Sequence, residues 1–388
     1  MDDHDLGGLV AECRALVEDL EYPAVRRWQA AHPDGKVLGH FQVYFPEELA
    51  HAAGMLPVKI LGATSALQIR KADARIAAFV CSVLRSSLEL ALGGRLDFLS
   101  MFVVPPICDA ARNACAVWVR NVPRIPTHTL YLPQNATSPH AAGYLRGEYR
   151  RLARIIEETA GQAITDERLR ASVAVYNENR RLLRDLYGMK RETPWLLSGV
   201  EAYLLTRVGA VMPREDHNAL LRRALGLARR RDAKRQDKIR VVFDGGYCEQ
   251  PPVDMLAVIQ DACYVVDDDL LVGLRWHLND VPAGDDPLGD LAAAYLEGSN
   301  GSPVQHDPRK PQSEVLLRRI RDSRADAAIV AAPKMCEPGL EEQVNYVRAL
   351  EAAGIPHLVM EFEEKMTVFE QVRMEIETFA ESLLFDFA

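Results

Sequence analysis

The chain has 388 residues, 48% of them apolar and 26% charged, with a formal net charge of −9 at pH 7. That length suffices for two or three globular cores, and the acidic balance excludes a nucleic-acid binder that relies on a basic face. No apolar run reaches the roughly 18 residues of a membrane span, and the start, Met1-Asp2-Asp3-His4-Asp5, lacks the basic region of a signal peptide, so a soluble, cytoplasmic chain is expected.

Residues 6–32 show helical spacing of apolar side chains (Leu9, Val10, Leu16, Val17, Leu20) and read as one or two helices, ended by His32-Pro33-Asp34-Gly35. This N-terminal helical segment (1–36) buries Cys13. A first α/β lobe (37–138) follows: an apolar run at Val58–Leu61, a helix through Ala74–Phe79, a second over 84–93, a strand over 101–107 and another over Thr127–Leu132. Alternation of strands with helices implies βαβ units and a parallel sheet. Residues 139–237, dominated by Arg, Leu, Ala and Glu at helical spacing, form a helical connector (Leu152, Ile155, Ile156; Leu182, Leu183, Leu186). A second α/β lobe (238–388) has strands at 239–243, 263–267, 326–331 and 356–361 and a closing helix over 366–386. The fold class is thus α/β, with two parallel-sheet lobes.

Cysteine placement carries the chemistry. There are seven, an odd number with no CxxC pair, so neither a disulfide framework nor a zinc ribbon is indicated. Cys108 ends Phe102-Val103-Val104-Pro105-Pro106-Ile107, and Cys336 ends Ala328-Ile329-Val330-Ala331-Ala332-Pro333-Lys334-Met335. Both runs read as buried strands leaving into a Pro-flanked loop with the thiol at the exit. Cys81 ends a similar run, Ile76-Ala77-Ala78-Phe79-Val80. Strand exits are where open α/β sheets bind ligands. Three such thiols suit an iron–sulfur cube with one iron left open, a zinc ion with three Cys and a water, or three inert buried thiols. Cys115 and Cys263 read as small core hydrophobes. Cys248, in Asp244-Gly245-Gly246-Tyr247-Cys248-Glu249, either lines a site or packs.

Other residues carry two readings each. The basic stretch Arg222, Arg223, Arg229, Arg230, Arg231, Lys234, Arg235, Lys238, Arg240 is a solvated face or a grip for the phosphates of coenzyme A. Segment 297–312 is a binding loop or a plain surface loop. Glu48 serves a first helical turn or moves a proton. Tyr247 places a phenol near substrate or packs, and His40 donates a proton or is structural. Asp267, Asp268 and Asp269 end a strand and cap the next helix.

The stretch Tyr44-Phe45-Pro46-Glu47-Glu48-Leu49-Ala50-His51-Ala52-Ala53-Gly54-Met55-Leu56-Pro57-Val58 resembles the signature of the 2-hydroxyacyl-CoA dehydratase / benzoyl-CoA reductase superfamily. Cys81-Ser82-Val83-Leu84-Arg85-Ser86, Cys108-Asp109-Ala110-Ala111-Arg112-Asn113 and Lys334-Met335-Cys336-Glu337-Pro338 resemble its three ligand-bearing segments. The resemblance implies two flavodoxin-like lobes around a [4Fe–4S] cluster on Cys81, Cys108 and Cys336, with Glu48, Tyr247 and His40 as candidate acids. It also implies a homologous iron–sulfur subunit as partner and an ATP-hydrolysing iron–sulfur activator, fed by ferredoxin, as electron donor. The lack of a GxxxxGK[ST] loop here agrees with nucleotide chemistry on another chain. Segments such as Ala114-Cys115-Ala116-Val117-Trp118-Val119-Arg120 and Glu361-Phe362-Glu363-Glu364-Lys365-Met366-Thr367 look closer to the class I, ATP-dependent benzoyl-CoA reductase branch, in particular its smaller C (gamma) subunit, which implies an aromatic acyl-CoA as substrate. The alternatives are a 2-hydroxyacyl-CoA dehydratase subunit, eliminating water through a ketyl radical, and a non-catalytic electron relay.

Overall fold

A computed structural model of the chain describes residues 5–41, 44–63, 67–245, 249–270, 279–299 and 304–386. The N-terminal pattern forms two helices, α1 (Leu6–Glu18) and α2 (Pro23–Ala31). Asp5 caps α1 by accepting from Gly8 N at 2.8 Å, and Pro23 opens α2 where its missing N–H has no helical partner to lose.

The first lobe then runs β1 (Val37–Phe41), α3 (Glu47–Ala52), β2 (Leu56–Ile60), α4 (Ser82–Leu92), β3 (Met101–Val104), α5 (Asp109–Asn121) and β4 (Thr127–Thr129). The connector holds α6 (Ala141–Ala160), α7 (Asp166–Glu192), α8 (Gly199–Arg207) with a 3-10 turn at Val208–Ala210, and α9 (Arg214–Arg229). The second lobe comprises β5 (Ile239–Asp244), α10 (Val253–Ala262), β6 (Cys263–Asp268), α11 (Pro287–Leu296), α12 (Gln312–Ser323), β7 (Ala327–Pro333), α13 (Glu337–Ala353), β8 (His357–Phe362) and α14 (Glu370–Asp386). No helix among the described residues is long and apolar enough to cross a membrane.

Both sheets are parallel, ordered β2-β1-β3-β4 and β6-β5-β7-β8. These are the same permutation, the start of a flavodoxin-type order. β1 adds to the expected strands: a glycine and a histidine dilute the apolar signal of Val37-Leu38-Gly39-His40-Phe41, yet all five residues are buried, as a central parallel strand requires. β3 stops at Val104 because Pro105 and Pro106 have no N–H for a ladder. β4 covers only Thr127–Thr129.

No helix or strand forms over Ala74–Phe79, contrary to expectation. Ala77, Ala78 and Phe79 stay exposed, so the run buries too little apolar surface to hold a helix. The turns here are pinned instead by Glu89, whose carboxylate accepts from Arg70 N (3.1 Å) and Ala72 N (2.7 Å), and by Arg75 bonding Asn121 at 2.8 Å.

One helix ties the lobes together. Thr165 caps α7 and acids fill its first turn; on the first lobe, Ser172 Oγ then donates to Glu48 O at 2.9 Å. At its other end, Lys190 pairs with Asp268 and Arg191 lies 2.7 Å from Asp267 on the second lobe. Asp267 and Asp268 are therefore held by α7, and Asp269 lies 3.7 Å from Arg319. All three acids are buried beside cations; the residues after Leu270 at which they would cap a helix lie outside the described residues. A single apolar core crosses both sheets, with Val58, Phe102 and Val104 in one and Val241, Phe243 and Ile329 in the other. The described part of segment 297–312 also returns to the first lobe, His306 N donating to Gln134 O at 2.8 Å and Ala136 N to His306 O at 3.1 Å.

Of the basic stretch, Arg222 pairs with Glu178, Arg231 with Glu201 (2.6 Å), Lys238 donates to Gln260 O (2.8 Å) and Arg240 to Ser323 O (2.7 Å). Arg223, Arg229, Arg230, Lys234 and Arg235 are exposed.

Gly245 leaves β5 with φ +112°, and a Cβ there would stand 2.5 Å from the backbone oxygen of Ala331 in β7. Gly245→Ala is expected to destabilise the fold by about 1–3 kcal/mol, through both the left-handed backbone and the close approach. A lower urea midpoint at unchanged slope would register it.

Candidate metal centre

Each of the three singled-out thiols stands at the N-cap of a helix. Cys108 reaches α5 from β3 through the two prolines, and its Sγ accepts from Ala111 N at 3.4 Å. Cys336 reaches α13 from β7: Lys334 N bonds Phe362 O at 2.9 Å, Met335 turns with φ +61°, and Cys336 N closes on Pro333 O at 3.1 Å. β3 and β7 are equivalent strands, each beside the point where its sheet order reverses, the crevice at which open α/β sheets take ligands. Cys81 caps α4 but leaves no strand, because the residues before it form turns; the strand-exit reading is corrected for this thiol. The helix-start signals were present in the sequence, in Asp109 and Glu337 of the first turns and Pro338 at the start of α13.

The three thiols line one cavity of about 730 Å³, whose walls include Phe41, Ile76, Val83, Leu84, Ile107 and Leu340. Cys81 and Cys336 are buried and Cys108 is half-buried. Burial pushes the Cys81 thiol well above its ordinary range, with Cys336 and Glu249 adding to it. Burial also raises Cys108, against the pull of the Ala111 N–H. Metal binding here would therefore release protons, while the positive ends of three helices favour the resulting thiolates.

These residues fit an iron–sulfur cube. Thiolates are its usual ligands, and the cavity has room between them. Among the described residues, no three His, Cys, Asp or Glu side chains gather closely enough to hold a single metal ion.

The other cysteines fall where expected or outside the described residues. Cys13, Cys115 and Cys263 are buried in the apolar core. Burial pushes the thiols of Cys13 and Cys263 up to about 12. Tyr247 and Cys248 lie outside the described residues.

Glu48 and His40 do not line the thiol cavity. Glu48 pairs with Arg180 and faces a separate small cavity of about 30 Å³, together with Tyr44, Tyr149 and Tyr295. His40 is fully buried, stacked on Phe45, with Nδ1 2.6 Å from Phe41 O and Nε2 3.3 Å from Glu47 Oε1. Sequence reasoning singled out Glu48 but missed its neighbour. Glu47 is the hub of a buried network with Lys59 (3.1 Å), Arg214 and the Tyr176 hydroxyl (3.1 Å). Burial alone would raise its carboxyl, yet Lys59 and Arg214 hold it well below the usual range. The partners come from the connector and from β2, so nothing local in the sequence distinguishes the two acids.

His217 closes this network. Its Nε2 donates to Leu205 O at 2.8 Å, while Nδ1 accepts from Asn179 at 2.9 Å, which assigns a neutral ring. Burial first, and Arg214 second, bring it down to about 3. Protonation thus favours the unfolded chain: the contribution is complete above pH ~6.5 and is lost as pH falls towards 3, by about 1.4 kcal/mol per unit. His40, lowered chiefly by burial, adds in the same direction. Urea unfolding at pH 7 and pH 5 is expected to show this loss in the wild type, and a shallower one in His217→Gln.

The family model described as 2-hydroxyglutaryl-CoA dehydratase, D-component, matches residues 42–383. The chain belongs to this family. It is 35% identical to the C subunit of benzoyl-CoA reductase from Thauera aromatica, over 97% of this chain and 98% of that one. It is 30% identical to the lactoyl-CoA dehydratase beta subunit of Anaerotignum propionicum (89% and 91% covered) and 27% identical to the (R)-phenyllactyl-CoA dehydratase beta subunit of Clostridium sporogenes (90% and 92%). This D-component family chain is therefore an enzyme chain, and the relatives it resembles are subunits of reductases and dehydratases.

Proposed function

We propose that this chain is the iron–sulfur subunit of an ATP-dependent benzoyl-CoA reductase, with one [4Fe–4S] cluster held by Cys81, Cys108 and Cys336. The observation that carries the reading is the meeting of three thiols, at three helix N-termini, in one largely apolar cavity. The 35% identity to a benzoyl-CoA reductase subunit over nearly the whole chain supports it. When bound, the cluster would supply single electrons at low potential. The chain's own part is to hold the thiolates at the positive ends of α4, α5 and α13, and to keep water away behind Phe41, Ile76, Leu84 and Ile107. A homologous subunit and a ferredoxin-fed, ATP-hydrolysing activator complete the complex, in the cytoplasm. The product is a cyclohexadienoyl-CoA. Glu48, Tyr247 and His40 are the candidate proton donors; the pairing of Glu48 with Arg180 and the full burial of His40 favour structural roles for those two.

A second reading, a 2-hydroxyacyl-CoA dehydratase subunit, draws on the 27–30% identity to two dehydratase beta subunits. The intact complex, given activator, ATP and a strong reductant, decides between them. Consumption of benzoyl-CoA with dienoyl-CoA as product supports the reductase, and dehydration of 2-hydroxyacyl-CoA alone supports the other. Anaerobically purified protein is expected to contain iron and acid-labile sulfide in equal amounts. Zinc without sulfide would overturn the metal assignment.

A further inference from the structure

The thiol-bearing helix α4 is gripped from the other lobe. Cys81 occupies its N-cap but makes no side-chain capping bond. That place is taken by Glu249, five residues beyond the end of β5, whose carboxylate accepts from Ser82 Oγ at 2.6 Å and from Val83 N at 3.3 Å. One turn further along α4, Ser86 Oγ lies 3.1–3.2 Å from both carboxylate oxygens of Glu364, just past β8. Glu364 also accepts from Ala63 N, beyond β2, and its own N–H donates to Glu249 Oε1 at 2.5 Å. All the groups in this knot are buried: Glu249 is 1% exposed, Glu364 9% and Ser86 0%.

The origin of the two acids gives the knot its meaning. β7, which delivers Cys336, pairs with β5 on one side and β8 on the other. The two strands flanking the Cys336 strand therefore deliver Glu249 and Glu364. The chain leading into Cys81 offers no equivalent hold, since Ala77, Ala78 and Phe79 before it are exposed turn residues. Resting on the cluster assignment proposed above, we infer that Glu249 and Glu364 are positioning residues that fix Cys81 relative to Cys336 across the two lobes. Carboxylates suit the task because the N-terminal turn of a helix presents unpaired N–H donors and a positive dipole end. Removing hydrogen-bonding partners that orient metal ligands costs about 10- to 100-fold in metal affinity in other proteins, and the same scale is expected here.

The test uses the complete complex, purified anaerobically, with Glu249→Ala, Glu364→Ala and the shape-conserving Glu249→Gln. Iron release to a chelator and the electron paramagnetic resonance of the reduced cluster are read beside far-ultraviolet circular dichroism. Glu249→Ala and Glu364→Ala are expected to fold, to lose iron about tenfold faster or more, and to show an altered resonance. Glu249→Gln keeps an oxygen acceptor and is expected to restore both. If either alanine variant fails to fold, Ser82→Ala/Ser86→Ala, which removes only the two hydroxyl donors, decides by the same readouts. Folded variants with wild-type iron release and an unchanged resonance would overturn the inference alone. A Cys108→Ala complex that kept the wild-type iron and sulfide content would overturn the cluster assignment and this inference together.

Discussion

Cys108→Ala in the complete complex is expected to remove one cluster's worth of iron and sulfide from this chain, and to take ring reduction down to the assay background, while the activator's ATP hydrolysis continues. The thiol at position 108 closes the α5 side of the cavity, and no other described cysteine lines it apart from Cys81 and Cys336. A cube held by two thiolates lacks a full set of protein ligands, so partial function is not expected. Cys263→Ala serves as the control: that thiol is buried in the core and donates to Ile259 O at 3.1 Å, so its loss leaves iron content at the wild-type value. Near-normal benzoyl-CoA reduction by Cys108→Ala would show that this cavity is not needed for the chemistry. Substituting the equivalent thiol of the paired subunit, one chain at a time, separates a catalytic cluster from a relay.

Lys190→Met is expected to destabilise the protein by about 3–5 kcal/mol, because it leaves the Asp268 carboxylate buried without its cation. Lys190 and Asp268 are both fully buried side chains, and the Asp268 carboxylate otherwise accepts from the Tyr187 hydroxyl at 2.8 Å and from Leu270 N at 3.3 Å. Lys190→Met/Asp268→Leu removes both charges and is expected to recover much of the loss, since replacing a buried pair is far milder than breaking one. Chemical unfolding of the two single variants and the double variant closes the cycle. A loss under about 1 kcal/mol in Lys190→Met would mean that water or a neighbouring cation compensates Asp268. The pair sits where α7 meets β6, so loosening it also frees the second lobe from the connector that grips the first.

Much of this architecture was legible in the chain. The continuous apolar runs of β3, β5, β6 and β7 announced buried parallel strands, because a strand covered on both faces needs apolar residues at every position. The helical connector was legible from its 3.6-residue spacing, and Cys108 and Cys336 from the prolines and acids around them. Burial period and chain-breaking residues are local properties, so a sequence states them directly. The misreading at Ala74–Phe79 shows the limit. An apolar run becomes a helix only where one face can be buried, and here Ala77, Ala78 and Phe79 stay exposed.

Three features depended on the tertiary structure alone. Glu249 and Glu364 of the second lobe bond the first turns of α4, behind Cys81, and nothing in the sequence announced that grip. Glu47 and Glu48 are adjacent and chemically identical, and only the arrival of Arg214 and Lys59 at one and Arg180 at the other tells them apart. The acids Asp267, Asp268 and Asp269 read as a strand end that caps the next helix, and only the fold shows that α7 and α12 bring cations over them. Each case is a charge whose partner comes from a distant part of the chain. Electrostatic pairing and hydrogen bonding act over a few ångströms in space and carry no trace in sequence spacing, so the fold had to bring those groups together before their roles could be read.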